Sequence, residues 1–225
     1  MTKCKALIIR VLDLFICVTL LIVLSPMLVF ISILQLFLGE GEIFYKQIRV
    51  GRDGNEFYLL KFATMLKDSP NIGAGDITVK SDPRVLKHGK LLRKTKINEL
   101  PQLINILSGE MSFVGPRPLT VKNFSFYSIA EKKYIINMKP GLTGIGSLFF
   151  RDEEKFLYGN ENPEQFYQTS IVPYKALLER YYFQNQSVSL YLRIFVLTIL
   201  SVMFPQLRLN KYFKDIPTPP PELDI

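Results

Sequence analysis

The sequence predicts an α+β protein with a re-entrant membrane helix hairpin at its N-terminus. A compact, mostly helical cytosolic domain with a small β-hairpin and interfacial helices follows. Three patterns carry this prediction: an uncharged apolar run at residues 14–38, helical spacing of apolar residues after residue 94, and an Asp-Gly turn at Asp53 and Gly54 between two apolar-rich segments. Apolar residues at a period near 3.6 indicate helices, and Asp-Gly between such segments indicates a hairpin.

The composition limits the class of protein. A length of 225 residues suits one domain plus a membrane element, and a hydrophobic fraction of 48% favours membrane association. The net charge of +8 favours anionic partners such as phosphate groups or acidic lipid headgroups. No nucleic-acid partner is expected, because the sequence has no aromatic-interleaved basic repeat and no zinc-ligand spacing. The two cysteines, Cys4 and Cys17, suit a reducing compartment.

The apolar run contains a proline at its middle. As one straight helix its 25 residues would extend about 37 Å, which is enough to span a bilayer. Pro26 bends such a helix, and the Ser25 hydroxyl can bond a carbonyl that the proline leaves unpaired. Basic residues flank both ends, which places both ends on the cytoplasmic side: Lys3, Lys5, Arg10, Lys46, Arg49 and Arg52. Residues 1–40 are therefore predicted to re-enter the membrane face, and a single spanning helix is the alternative.

The remaining elements are read from turn residues and periodicity. Residues 41–215 are predicted to form the domain, and residues 216–225 a proline-rich tail that cannot bury a core. Asp82 is predicted to cap a short helix. Other expectations are strands at 44–50 and 56–65, a loop at 67–81, one amphipathic helix at 119–138, and helices at 163–185 and 187–204. The last of these is read as a buried or interfacial helix.

The most informative stretch is residues 94–118. Apolar residues at i, i+3, i+4 and i+7 predict one buried helix face, and Gly109 predicts the end of that helix: Leu100, Leu103, Ile104 and Leu107. The helix then begins near Asn98 and Glu99, where unpaired N–H groups and the helix dipole suit a phosphate. Pro116 and Pro118 fix the backbone around Arg117, which suits bidentate phosphate capture. A capped core helix followed by a plain loop is the alternative.

These residues resemble the signature of the bacterial sugar transferases, the monotopic phosphoglycosyl transferases. That signature has an Asp-Glu pair, then Leu-Pro-Gln-Leu, Asn, Leu, Gly, Met-Ser and Val-Gly-Pro-Arg-Pro. The matching positions here are 99–103, 105, 107, 109, 111, 112 and 114–118. Residues 61–65, 82–84 and 139–144 and the Ser-Pro pair of the apolar run resemble further family segments. Two positions depart: Ala63 stands for an Arg, and Asn98 stands for the nucleophilic Asp.

The resemblance implies an activity and a set of site residues. The implied enzyme transfers a sugar-1-phosphate from a UDP-sugar to a polyprenol phosphate such as undecaprenyl phosphate, releasing UMP. It would work at the cytoplasmic face of the bacterial inner membrane, in the first membrane step of glycan assembly, with Mg²⁺ as cofactor. Asn98 and Glu99 would be the catalytic pair, with Glu99 holding the metal. Substrate-binding roles fall to Lys61, Arg93, Arg117, Pro118 and Arg151.

Asn98 leaves several explanations open. A neutral amide is a poor nucleophile and a weaker ligand for a hard cation than a carboxylate. The chain could be an engineered variant, use direct in-line transfer, use Glu99 as nucleophile, or bind substrates without turnover. We expect a natural Asn-Glu variant of the enzyme, and the alternative is a silent membrane-bound binding or scaffold homologue. The sequence leaves open the UDP-sugar, the glycan and whether the chain forms a homo-oligomer.

Overall fold

The structure, a computed structural model, describes residues 3–69, 82–157 and 162–223. Its α-helices are α1 Lys3–Leu38, α2 Lys87–Lys94, α3 Gln102–Ser108, α4 Val121–Ser125, α5 Ile129–Ile136, α6 Ile145–Phe149, α7 Glu154–Leu157, α8 Pro163–Phe166, α9 Val172–Gln184 and α10 Val188–Met203. Its strands are β1 Phe44–Val50, β2 Glu56–Phe62, β3 Ser112–Val114 and β4 Gly141–Thr143. The α+β class predicted from the sequence is therefore confirmed, with a long apolar N-terminal helix and small sheets.

The chain divides into two compact units. Unit 1 consists of residues 1–13, 49–57 and 110–225, and unit 2 consists of residues 14–48 and 58–109. The predicted division at residues 40 and 215 stays a prediction. Each unit is described by itself below.

Helix α1 is long and apolar enough to cross a membrane, judged by length and composition alone. It continues without interruption through Pro26, so the helix hairpin that the sequence predicted, with a break at Ser25 and Pro26, is not observed. The Ser25 hydroxyl donates to the carbonyl of Ile22 at 2.8 Å, which confirms the predicted local hydrogen bond. Only 11% of the most apolar window of α1 is buried, so most of this helix presents apolar side chains outward.

In unit 2, α1 packs along one narrow stripe. Near the start of the stripe, the Cys17 thiol donates to the carbonyl of Leu103 at 3.1 Å. Near its end, the fully buried Gln35 donates through Nε2 to the carbonyl of Ala63 at 2.5 Å. The Oε1 of Gln35 lies 2.6 Å from Nε2 of His88. These polar contacts fix the helix to both α3 and the end of β2.

The predicted hairpin forms, with one boundary changed. β1 has the predicted bounds and pairs with β2, but β2 ends at Phe62 and not at residue 65. The turn between the strands contains Asp53 and Gly54, both with positive φ angles, of 58° and 79°. An Asp-Gly pair adopts this left-handed backbone readily, which is why the sequence signal was reliable here.

Helix α3 buries a different face from the one predicted. Leu103 is 1% exposed, but Ile104 and Leu107 are 45% and 42% exposed. The buried α3 positions are Gln102, Leu103, Asn105 and Ile106. The reason is a polar anchor: the side chain of Asn105 accepts from the backbone N–H of Leu60 at 3.0 Å and donates to the carbonyl of Tyr58 at 2.8 Å. This amide binds the edge of β2 and sets the rotation of α3.

Three other predictions were wrong or incomplete. Asp82 does not cap a helix, because its carboxylate pairs with the buried guanidinium of Arg84 at 2.6 Å and α2 begins only at residue 87. Residues 119–138 form two helices, since Thr120 and Ser128 each act as an N-cap. Residues 141–143 form a strand and not only a turn. The predicted loop at 67–81 lies mostly outside the described residues.

Unit 1 is built on a short parallel sheet. Ser112 and Val114 of β3 pair with Gly141 and Thr143 of β4. The buried carboxylate of Asp13, in α1, accepts hydrogen bonds from the backbone N–H of Phe113 at 3.0 Å, from the Ser112 hydroxyl at 2.8 Å and from the Tyr191 hydroxyl at 2.6 Å. Asp13 thus anchors the unit 1 part of α1, residues 3–13, to the sheet and to α10. The proline-rich tail is partly packed, because the Tyr174 hydroxyl donates to the carbonyl of Pro217 at 2.9 Å.

Candidate active site

Asn98 and Glu99 lie on the single 3-10 turn Ile97–Glu99, between α2 and α3 in unit 2. Lys96 precedes the turn with a left-handed backbone, at φ 59°. On the neighbouring strand β2, Nζ of Lys61 lies 3.6 Å from Oε1 of Glu99, and the two side chains are 19% and 22% exposed. Since Asn105 fastens α3 to the same strand, the ion pair is held by fixed elements on both sides. Three predicted site residues thus meet in one unit.

Asn98, which precedes Glu99 in the sequence, is buried. The residue is 6% exposed, and its Oδ1 atom is buried with no hydrogen-bond partner among the described residues. A buried polar atom without a partner is unusual, and leaving one unpaired costs about 1–3 kcal/mol. The side chain therefore keeps one oxygen available for a donor or a cation that is not part of the described chain.

Arg93 also belongs to unit 2. It lies in the last turn of α2 with Lys94, where positive charge is favoured by the negative end of the helix dipole. The chain reverses through Thr95 and Lys96 before reaching Asn98. A short segment therefore brings several cationic side chains to the start of the 3-10 turn.

In unit 1, the backbone on both sides of Arg117 is fixed. The carbonyl of Pro116 accepts from the N–H of Gly141 at 2.8 Å, and the carbonyl of Pro118 accepts from Nη1 of Arg49 at 3.0 Å. The side chain of Arg117 is exposed and forms no hydrogen bond or ion pair with the parts of the chain that the structure describes. The Gly-Pro-Arg-Pro segment therefore presents a guanidinium from a rigid backbone, as the sequence predicted.

Close backbone packing explains the glycine of this segment. The N–H of Gly115 donates to the carbonyl of Thr143 at 2.9 Å, which continues the pairing of β3 with β4. A Cβ atom at Gly115 would lie 2.2 Å from the carbonyl oxygen of Lys139, a distance that real Cβ atoms do not reach. Only glycine permits this approach, and the approach determines where Arg117 emerges.

Arg151, one of the predicted substrate-binding residues, has partners inside unit 1. Its guanidinium donates to the carbonyl of Ser201 in α10 and to Oδ2 of Asp152, the latter at 3.1 Å. This hydrogen bond lowers the pKa of Asp152, although partial burial opposes the shift. The structure thus gives Arg151 a role in joining the end of α6 to α10. Its contact with substrate stays a prediction, as does the joint action of the unit 1 and unit 2 residues on one substrate.

Sequence reasoning missed a buried charged cluster on α9. Lys175 and Glu179, one helical turn apart, are 7% and 5% exposed. Nζ of Lys175 lies 2.7 Å from Oε1 of Glu153, and both Lys175 and Glu179 line a cavity with Arg117. Burial lowers the pKa of Lys175 and raises that of Glu179 to about 7. The available signal was a Lys and a Glu four residues apart within an aromatic-rich helix.

The residues around Glu99 could supply some of the ligands of a magnesium ion, and a phosphorylated substrate would supply others. Within the described residues, no group of three or more His, Cys, Asp or Glu side chains could hold a metal. Mg²⁺ is commonly bound through one or two carboxylates together with substrate phosphates and waters. Glu99 offers one carboxylate, and the unpaired Oδ1 of Asn98 offers a neutral oxygen. This set suits a cation that arrives with a phosphorylated substrate.

Comparison with known proteins finds relatives that are named for sugar transfer and for exopolysaccharide production. The chain is 35% identical over 161 residues to the exopolysaccharide production protein ExoY of Sinorhizobium fredii, covering 65% of this chain and 71% of that protein. It is 36% identical over 144 residues to a UDP-glucose:undecaprenyl-phosphate glucose-1-phosphate transferase of Klebsiella pneumoniae, covering 62% and 30%. It is 34% identical over 161 residues to a UDP-galactose-lipid carrier transferase of Erwinia amylovora, covering 65% and 33%.

The match to the last two proteins thus spans about a third of their length. The family model for bacterial sugar transferases matches residues 4–205, which include the whole 94–118 stretch and the cluster on α9. The sequence motifs and this match agree. The chain belongs to the bacterial sugar transferase family.

Proposed function

We propose that the protein transfers a sugar-1-phosphate from a UDP-sugar to a polyprenol phosphate and releases UMP. The observation that carries the proposal is the Lys61–Glu99 pair at 3.6 Å, next to the buried and unpaired Oδ1 of Asn98, within the family motif. The relatives named for UDP-glucose and UDP-galactose support the class of donor and a lipid carrier as acceptor.

The reaction joins two anions, so charge must be neutralised before it can proceed. An oxygen of the polyprenol phosphate forms a bond to the β-phosphorus of the UDP-sugar, and the bond from that phosphorus to the bridging oxygen breaks, so UMP leaves with the electron pair. Arg117 binds phosphate oxygens through its guanidinium, and Lys61 orients the Glu99 carboxylate. Mg²⁺, when bound at Glu99, supplies further charge neutralisation at the phosphates.

Asn98 acts in this proposal as a binding group and not as the nucleophile. Its amide is neutral, and its buried Oδ1 accepts a hydrogen bond or a cation. A direct in-line transfer needs no nucleophile from the chain, and Glu99 is the only carboxylate of the pair that could form a covalent intermediate. The second candidate function, a silent membrane-bound binding or scaffold protein, rests on the same neutral Asn98.

We also propose that both ends of α1 stay on the cytoplasmic face of the membrane. Cys17 and Gln35 are 18 residues apart, about 27 Å along a helix, and both contact other residues of unit 2, Leu103 and Ala63. A helix that crossed a hydrocarbon core of about 30 Å would place these positions near opposite surfaces. The outward side chains of α1 would then lie in the lipid on one side.

The experiment is a UDP-sugar panel with undecaprenyl phosphate, Mg²⁺ and detection of UMP, using the full chain in detergent. We expect UMP release that requires the lipid acceptor and is reduced at least a hundredfold in Glu99→Gln, because a carboxylate that holds the cation is lost. Glu164→Gln is the matched control, since its carboxylate is 45% exposed and pairs with Lys122 at 2.8 Å. Binding of UDP-sugar without any UMP release would support the scaffold alternative.

A further inference from the structure

A cavity in unit 1 contains two buried polar atoms without partners. Oε2 of Glu179 and Oγ of Ser147 are both buried, and neither has a hydrogen-bond partner within the described ranges. Both residues line the same cavity as Arg117, and its volume of about 20 Å³ has room for one group of the size of a hydroxyl. Since roughly nine in ten buried polar groups are paired, two unpaired atoms in one cavity point to a partner from outside the chain.

The neighbours of Glu179 do not use this oxygen. Its other oxygen faces the backbone N–H of Gly146, where a Cβ atom would lie only 2.6 Å from Oε1. Lys175 directs its ammonium to Oε1 of Glu153 at 2.7 Å and lies over the Phe150 ring at 5.1 Å. Glu179 therefore keeps one buried acceptor on the wall of the cavity.

The polar groups that line the cavity indicate which class of ligand it could bind. A carboxyl oxygen accepts a hydrogen bond, a serine hydroxyl both donates and accepts, and the exposed guanidinium of Arg117 binds an anion. The rest of the lining is largely apolar, including Leu119 and Ile135. A hydroxyl-bearing ring attached to a phosphate presents these groups together: a hydroxyl for Glu179 and Ser147, and an anion for Arg117.

We propose that this pocket receives a hydroxyl group of a ring that adjoins a phosphate in the sugar nucleotide. Glu179 and Ser147 bind the hydroxyl, and Arg117 binds the phosphate. The inference rests on the proposed function, and it deepens it by naming residues that recognise the substrate. Two rings have this chemistry, the transferred sugar and the ribose, and the experiment separates them.

The test measures ligand binding by the full-length protein in detergent, by calorimetry. The probes are UDP-glucose, UDP-galactose, UDP and the two corresponding sugar 1-phosphates. Ser147→Ala and Glu179→Leu are the variants, with Glu164→Leu as the matched control and thermal unfolding as the check on folding. We expect each variant to bind the UDP-sugar about tenfold more weakly than wild type, which corresponds to the loss of one hydrogen bond.

The pattern of losses identifies the ring. Weaker binding of UDP-sugars and sugar 1-phosphates with unchanged binding of UDP assigns the pocket to the transferred sugar, and weaker binding of UDP assigns it to the ribose. Unchanged binding of all probes by folded Ser147→Ala, or no binding by wild type, overturns the inference. UMP release is measured separately, so the two proposals can fail independently. If the wild type releases UMP but the variants bind all probes as it does, the inference fails and the proposed function stands. If the variants bind more weakly but the wild type releases no UMP, the inference stands and the proposed function fails.

Discussion

Replacing Glu179 by Gln should stabilise the protein, and the gain should grow with pH. Burial raises the pKa of Glu179 from 4.5 to about 7. Between these two pH values the folded state keeps a proton on this carboxyl that the unfolded state has lost. Below pH 4.5 both states are protonated, and stability falls as pH rises until about pH 7. The difference of about 2.5 pKa units corresponds to about 3 kcal/mol of destabilisation at pH 8, which the neutral glutamine avoids.

The assay is thermal unfolding in detergent at pH 5 and pH 8 for wild type, Glu179→Gln and the exposed control Glu164→Gln. For a chain of this size, 3 kcal/mol corresponds to about 6–12 °C in Tm, and most of that advantage should be present only at pH 8. Burial lowers the pKa of His88, but the contribution of this residue is shared by all three proteins and cancels in the difference. An equal Tm difference between wild type and Glu179→Gln at both pH values would refute the reasoning.

Three further changes have defined outcomes. Asp13→Asn should lower the free energy of unfolding by about 2–4 kcal/mol, measured by urea unfolding, because a buried carboxylate with three donors is lost and an amide N–H₂ faces other donors; an unchanged midpoint would contradict the anchor role. Gly115→Ala should destabilise by about 1–3 kcal/mol and reduce UMP release, because its methyl group meets the Lys139 carbonyl. Asn98→Asp should raise UMP release and give a phosphosugar adduct visible by mass spectrometry, and no gain in either would show that Asn98 is not simply a lost nucleophile.

Local signals allowed much of the fold to be predicted. The hairpin turn at Asp53 and Gly54 and the end of α3 at Gly109 depend on positive φ angles, which few residues adopt, so the residue type reveals the conformation. The Arg117 segment was predicted for a similar reason, because two prolines restrict its backbone. In these places the conformation is set by neighbours in the sequence.

The predictions failed where contacts between residues far apart in the sequence determine the structure. Periodicity suggested that Ile104 and Leu107 are buried, but the amide of Asn105 binds the edge of β2 and turns α3 so that both are exposed. A single asparagine has no sequence pattern that announces such a bond. The cavity at Glu179 was missed for the same reason, since Ser147 precedes it by 32 residues and Arg117 by 62.

The fate of the donor's β-phosphate tests the central claim most directly. UDP-sugar carrying a radioactive label in the β-phosphate is incubated with undecaprenyl phosphate, Mg²⁺ and the full-length protein, and the lipid is then extracted. If Glu99 and Arg117 act on the diphosphate as proposed, the label moves into the lipid together with the sugar, and the released nucleotide is unlabelled UMP. If the label instead stays with the nucleotide as UDP, or no label reaches the lipid, the protein does not transfer a sugar-1-phosphate.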